Sequence, residues 1–326
     1  MTSHKPTIYF LCADTNAHSG GIKVLYRHVD ILNAHGFSAC ILHSKQGFRC
    51  SWFDNTTTVK SVHELELFIN DYFVISEIYL PDLGDRLPHN KKVVFNQNCY
   101  YTFLKGYSYN QHDTKTPYHH QNVVGVLVVS DDSLEYMQHL FPNIPITKIR
   151  NATDTAFFSY QERKEKIISF MTRKHSEESI QVINILKLRN ALEDFTLVPI
   201  ENKKEHEVAQ IMKESLIFLS FGYPEGFALP PAEAMACGCI VIGYHGRGGK
   251  EYFKTEFSYP IEQGDIITFS KTVEEVIQEW NKDPRILNEK RQKASEYILQ
   301  NYSKKWQEKE VVGFWSNMFN KTPISC

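Results

Sequence analysis

Long apolar runs are missing from this sequence. The longest, VVGVLVV (Val123 to Val129), falls far short of the roughly 20 residues a membrane helix needs. The start, MTSHKPTIYFLCADTN, holds too short an apolar run for a signal peptide. A cytoplasmic location is therefore expected, with peripheral contact at the inner face of a membrane left open. Charge of one sign is also missing: 36 Lys and Arg stand against 38 Asp and Glu, a net charge of −2. That excludes the basic footprint of a general nucleic-acid binder. The seven cysteines are odd in number and include no C-x-x-C, and Cys237-Gly-Cys239 has no second pair to complete a zinc site. Reduced, buried thiols are expected. There is no D-x-D pair, and the only clustered histidines, His119 and His120, are adjacent and poor partners for one ion, so no metal is expected. The loop after the first apolar run, ADTNAHSGG, lacks G-x-G-x-x-G, and no acid follows the second strand to hold a ribose, which argues against a nicotinamide-binding domain. Nor is there a G-x-x-x-x-G-K-[ST] phosphate loop.

What is present is an alternating rhythm. TIYFLCA reads as a strand. In IKVLYRHVDILNAHG, Ile22, Leu25, Val29 and Leu32 recur at helical spacing and Gly36 ends the helix. FSACILH is a second strand, completing a βαβ unit and hence a parallel sheet. YFVISEI, KKVVFNQ, VVGVLVVS and ITKIRN continue the strands, and DDSLEYMQHLF is a helix capped by Asp131 or Asp132. After the charged segment Gln161 to Lys166 the rhythm restarts with IISFMTR, SEESIQVINILKLRNA, FTLVPI, KEHEVAQIMKES, LIFLSF, CIVIGYH and FSYPI. Long helical segments close the chain, the last broken near Tyr302 and Ser303. At 326 residues, two α/β domains are expected, over 1–160 and 161–300, with a terminal helix over 301–326. Ligands bind such sheets beyond the carboxyl ends of the strands, and two of them facing each other make a cleft.

The most informative stretch is YPEGFALPPAEAMACGCIVIGY, from Tyr223 to Tyr244. Pro230 and Pro231 suit a first helical turn, where a missing N–H is no loss. AEAMAC continues the helix and Gly238 caps its end. Glu233 then falls in the first turn, while Glu225 lies in the loop before it. Backbone N–H groups and the helix dipole favour an anion at such a start. The two carboxylates would accept hydrogen bonds from hydroxyls, and a nucleotide sugar carries both diphosphate and hydroxyls. Gly20 and Gly21, just before the first helix, mark a second place suited to an anion.

Glu225 and Glu233, spaced within EGFALPPAEAMACG, resemble the signature of retaining nucleotide-sugar glycosyltransferases of the GT-B fold, family four (glycosyl transferases group 1). The resemblance covers nearly the whole chain. Gly20 and Gly21 match the family's N-terminal glycine loop, VVSDDSLEYMQHLFP its Ser-plus-helix segment, and IRNATDTAFF its interdomain segment, with Ala152 where Gly is usual. GYHGRGGKEYF matches a Gly-rich loop ending in Glu251. The resemblance implies two Rossmann-like α/β domains facing across a cleft. The first takes the acceptor, the second takes the nucleotide sugar, and the last helix either crosses back to the first domain or forms a dimer face.

By the same resemblance, Glu233 holds the nucleotide ribose and Glu225 lies against the transferred sugar. The backbone amides of Phe227, Ala228 and Leu229 line sugar and phosphate. Arg173 faces the diphosphate. The family's lysine five residues later is Glu178 here, which leaves Lys174 as its expected replacement, with Arg247 or Lys250 as alternatives. Asn202 and Lys203 mark the loop that holds the base. Where many members carry a histidine in the first domain, this chain has Gln97 and Asn98, and His18 lies in the glycine loop. The aromatic stretch with Tyr100, Tyr101, Phe103, Tyr107, Tyr109 and Tyr118 offers flat faces with polar tips, suited to a sugar acceptor. The implied reaction is transfer with retention from a nucleotide-diphosphate sugar to a glycan, lipid-linked or small-molecule hydroxyl, without cofactor or metal. A glycoside hydrolase, a nucleotide-sugar epimerase and a degenerate, non-catalytic GT-B protein that binds a glycan or a partner are the rival readings.

Overall fold

A computed structural model of the chain describes residues 5–79, 89–104, 107, 116–172 and 176–320. The chain divides into two compact units, Met1–Arg150 with Lys305–Cys326, and Asn151–Lys304.

In the first unit, β1 (Thr7–Leu11) leads into α1 (Gly20–Ala34), whose apolar stripe buries Val24, Leu25, Val29 and Leu32. There follow β2 (Ser38–His43), β3 (Val59–Ser61), β4 (Tyr72–Ser76), β5 (Lys91–Asn96), β6 (Val123–Val128), α2 (Asp131–Leu140) and β7 (Ile146–Lys148). The sheet order is β3-β2-β1-β4-β5-β6-β7 and every pairing is parallel. Because β1 pairs with both β2 and β4, the chain reverses its direction of travel there, which is where such sheets open a crevice. The cap of α2 is Ser130 rather than Asp131 or Asp132: its hydroxyl accepts the Ser133 N–H at 3.1 Å, and the two aspartates fall inside the first turn.

The second unit runs β8 (Glu165–Met171), α3 (Ser176–Leu188), β9 (Thr196–Ile200), α4 (Glu205–Glu214), β10 (Ser215–Ser220), α5 (Leu229–Ala236), β11 (Ile240–Tyr244), β12 (Tyr259–Ile261), α6 (Ile266–Lys282) and α7 (Arg285–Asn301). Its order is β12-β11-β10-β8-β9, again all parallel. Here the reversal lies between β8 and β10. A half-buried cation, Lys164, anchors the helices behind the sheet. Lys164 Nζ donates to the carbonyls of Met212 (2.9 Å), Lys213 (2.9 Å) and Cys237 (2.8 Å), at the carboxyl ends of α4 and α5. Burial pulls its ammonium below the usual lysine range.

The units divide at 150/151, not at 160/161, because the segment from Asn151 is tied to the second unit. Thr153 N–H donates to Tyr302 O at 2.9 Å, Gln161 N–H to Cys237 O at 3.2 Å, and Asp154 pairs with Lys304 at 2.6 Å. The last helix, α8 (Lys304–Asn320), joins the first unit: Trp315, fully buried, meets Tyr72 edge-on at 5.5 Å, and Phe319 meets Phe37 at 5.5 Å. Arg150 fixes its start, bonding Glu310 at 2.7 Å and lying 4.4 Å from the Trp306 ring centroid. Among the described residues no helix is long and apolar enough to cross a membrane. Cys12, Cys40, Cys50, Cys99, Cys237 and Cys239 are buried free thiols.

Candidate functional site

The loop from β10 to α5 carries Glu225. It leaves the strand with buried Phe221 stacked on Phe269 at 4.8 Å and contains the cis bond Tyr223–Pro224. Its backbone is paired with the glycine loop after β11. Glu225 N–H donates to Gly246 O at 2.7 Å, and Gly248 N–H donates to Glu225 O at 3.1 Å, so that Glu225 and Arg247 form a parallel bridge. The glycines permit this approach. A Cβ on Gly248 would lie 2.0 Å from Gly226 O, and one on Gly246 would lie 2.8 Å from Gly222 O. Gly222 in turn makes room for the glutamate itself, since a Cβ there would stand 3.0 Å from Glu225 Oε1.

Ala228, at φ 62 and ψ 74, caps α5 in the left-handed region. The helix therefore starts at Leu229. This moves Glu233 out of the first turn, where the sequence suggested it, to the fifth helical residue. It also narrows the helix end as an anion site: Pro230 and Pro231 follow at once and carry no N–H, leaving Leu229 as the donor of the first three positions. Phe227 and Ala228 are held from behind by Tyr252, whose buried hydroxyl donates to both their carbonyls.

The Tyr252 phenol also responds to charge on nearby carboxylates. Burial first, then the charges of Glu251, Glu225 and Glu233, drive its phenol well above the usual range. Glu225 and Glu233 are half-buried, and Glu251 accepts the Tyr302 O–H at 2.8 Å. Glu225, Phe227 and Ala228 lie in the loop that enters α5, and Leu229 and Glu233 lie on the helix.

Other expected donor residues are spread over the same strand ends. Asn202 and Lys203 follow β9, both exposed, with Lys203 3.6 Å from Glu207. Arg173 and Lys174 follow β8 in sequence and lie outside the described residues, as does Tyr109. Glu178, in the first turn of α3, hydrogen-bonds the Tyr244 hydroxyl; burial foremost, then this bond, raises that phenol. Among the described residues no group of three or more His, Cys, Asp or Glu side chains is placed to hold a metal ion.

In the first unit, Gly20 and Gly21 form the opening turn of α1 instead of preceding it. Gln97 closes over them: its Nε2 donates to Gly21 O at 3.2 Å, and a Cβ on Gly21 would come within 3.3 Å of the amide. Sequence reasoning missed what holds Gln97. The carboxylate of Glu77, 5% exposed, accepts the backbone N–H groups of Gln97 (3.1 Å) and Asn98 (3.0 Å) and the Ser76 hydroxyl (2.8 Å). Burial raises its carboxyl above the usual range despite these donors. Asn98 Oδ1 accepts the Tyr100 N–H at 3.2 Å, and the Tyr100 hydroxyl donates to Asp132 at 2.7 Å. Tyr101 is half-buried, and His18 is exposed against Trp52, 5.1 Å between centroids. Tyr118 is no surface platform: it is buried, stacked on Phe141 at 4.6 Å, with its hydroxyl accepting from Asn96 Nδ2 at 2.9 Å.

Residues 185–298 match the family described as glycosyl transferases group 1. The second unit is a group 1 glycosyl transferase domain. The chain is 27% identical to an alpha-1,6-glucosyltransferase of Actinobacillus pleuropneumoniae serotype 7, over 96% of this chain and 95% of that protein. Among solved structures it is similar in fold to sucrose-phosphate synthase of Thermosynechococcus elongatus (TM-score 0.72, 12% identity, 98% of this chain and 100% of that one). It is also similar to Anabaena HepE in complex with UDP and glucose (TM-score 0.67, 12% identity, 96% and 100%). These likenesses give the chain a GT-B fold: two parallel-sheet α/β units.

Proposed function

We propose that this glycosyltransferase moves a sugar, with retention and without a metal, from a nucleotide-diphosphate sugar to a hydroxyl of a glycan, lipid-linked or small-molecule acceptor. The carrying observation is that Glu225, in the loop paired with the glycine loop, and Glu233, on α5, stand on either side of the Ala228 turn, within residues that match the group 1 family. Glu233 accepts hydrogen bonds from the ribose and Glu225 from the sugar. The amides of Phe227, Ala228 and Leu229, with Arg173 and a second cation, stabilise the diphosphate as negative charge develops on it. The C1–O bond to phosphate breaks, the acceptor oxygen bonds C1 from the same face, and its proton passes to the departing phosphate oxygen. The glucosyltransferase relative favours glucose as the sugar, and the HepE complex favours uracil as the base.

A screen of nucleotide sugars, UDP-glucose first, tests this by thermal stabilisation and slow hydrolysis, in the presence and absence of EDTA. Wild type is expected to respond to at least one donor, and Glu233→Ala and Arg173→Ala to respond less. A wild type stabilised by no nucleotide sugar, or variants that match it, would sink the assignment. Glu178, standing where the family's lysine is usual, favours a second reading in which the donor binds without transfer. Stabilisation without hydrolysis or turnover would support that one.

A further inference from the structure

Three buried rings stand behind the turn at Phe227 and Ala228 that enters α5. The Phe227 ring meets those of Tyr252 and Tyr302, each at 5.2 Å between centroids, and the two tyrosines meet each other at 5.7 Å. Tyr252 is bonded to the turn itself, through the carbonyls of Phe227 and Ala228. Tyr302 is bonded to the neighbouring loop. Its hydroxyl donates to Glu251 Oε1 at 2.8 Å, a charge-assisted bond in buried surroundings. Glu251 ends the short turn Gly248–Glu251, and Gly248 at the other end donates its N–H to Glu225 O. Tyr302 thus supports the turn with its ring and the loop paired with Glu225 with its hydroxyl.

The backbone of the same residue is fixed elsewhere. The chain enters the second unit at Asn151 and leaves it at Lys304. Tyr302 closes α7, and its carbonyl accepts the Thr153 N–H at 2.9 Å. Lys304, two residues on, pairs with Asp154 at 2.6 Å. The entering and leaving segments are therefore fastened together at Tyr302. Thr153 is 1% exposed, so its amide exchanges with solvent when this fastening opens. A ligand that favours the ordered turn must, by linkage, favour whatever else the same residue orders. Tyr297, earlier on α7, supplies the contrast: its hydroxyl donates to Glu251 O at 3.3 Å, and its ring lies against Phe257 at 5.1 Å.

We propose that Tyr302 is a positioning residue for the donor site, holding Phe227 and Glu251 in place and coupling nucleotide binding there to the Thr153–Tyr302 bond where the chain enters and leaves the unit. This inference rests on the donor-site reading above.

Two measurements on the full chain test it: calorimetric titration with the diphosphates of uridine, guanosine, adenosine and thymidine, and hydrogen exchange of the Thr153 amide with and without the tightest binder among them. The variants are Tyr302→Phe, which keeps the ring and removes the hydroxyl, and Tyr297→Phe, which removes the other phenol bonded to Glu251. In wild type the bound diphosphate is expected to slow exchange at Thr153 by about threefold or more. Tyr302→Phe should bind it about 3–10-fold more weakly, the worth of one hydrogen bond, and should lose the slowing. Tyr297→Phe should keep both. A purely structural role would lower the melting temperature of both variants and leave affinity and slowing as in wild type, and that result overturns the proposal. So does slowing that persists in Tyr302→Phe, slowing absent from a wild type that binds, or a Tyr297→Phe that loses affinity and slowing alike. A wild type that binds no diphosphate removes the donor-site reading and this inference with it; a wild type that binds, with Tyr302→Phe unchanged, removes only this inference.

Discussion

The hydroxyl of Tyr252 donates to the carbonyl of Ala228, the residue that caps α5 in a left-handed conformation. A buried phenol thereby holds the turn between the two glutamates of the site. Tyr252→Phe keeps the ring and removes the bond. It is expected to cost about 1–2 kcal/mol in urea unfolding and to weaken donor binding several-fold, since Ala228 then loses support for its backbone. An unchanged donor affinity would show that the turn holds without the phenol.

The pairing of the Glu225 loop with the glycine loop predicts unequal alanine substitutions. At Gly248 a Cβ would lie 2.0 Å from Gly226 O, which neither backbone can absorb in place. Gly248→Ala should force the loops apart, at a cost of about 3 kcal/mol or more, and abolish nucleotide binding. Gly264, at φ 83 with nothing within 4 Å, is the control: Gly264→Ala pays only for its backbone, about 1 kcal/mol, and should bind donor normally. Equal melting temperatures for the two would contradict the packing argument.

The parts of this site legible in the sequence are those set by local chemistry. Gly222, the proline pair and Gly238 (φ 80) bracket α5, so a loop glutamate and a helical glutamate at one strand end could be read directly. The start of the helix was less legible, because nothing in ALPP signals that Ala228 turns left-handed, and one residue there carries Glu233 past the first turn. Ser130 lost out to Asp131 and Asp132 for a similar reason: three good capping residues stand in a row and only the backbone decides among them. Residues that act through tertiary pairing gave no signal. Glu77 in YFVISEI reads as the exposed end of a strand, and its partners Gln97 and Asn98 reach it only because β4 pairs with β5. Tyr302 and Glu251 meet across 51 residues.

Glu77 should therefore behave as the anchor of the turn at Gln97 and Asn98. Glu77→Ala leaves two backbone donors without their acceptor and is expected to destabilise the first unit by about 2–4 kcal/mol, with Glu77→Gln, which keeps one acceptor oxygen, losing about half as much. Urea unfolding followed by tryptophan fluorescence measures this. Nucleotide binding should survive in both variants. A loss of nucleotide affinity equal to that of Glu233→Ala would mean that Glu77 acts on the donor site.

His28 makes the stability of the first unit depend on pH. It is fully buried on α1, stacked on Phe95 at 4.9 Å, and neither ring nitrogen has a hydrogen-bond partner. Burial, with a smaller contribution from the Arg27 charge, depresses its pKa to about 3, against 6.5 for the free side chain. Between these values the unfolded chain binds a proton that the folded one does not, so stability is full above pH 6.5 and falls as the pH drops below it. At pH 5, one and a half units below 6.5, the loss is about 2 kcal/mol at 1.36 kcal/mol per unit. His28→Phe removes the titrating group while keeping an aromatic ring against Phe95, and it should flatten the dependence by that amount. Urea midpoints for wild type and His28→Phe at pH 7 and pH 5 decide the matter: parallel losses in the two proteins would assign the acid sensitivity to other groups.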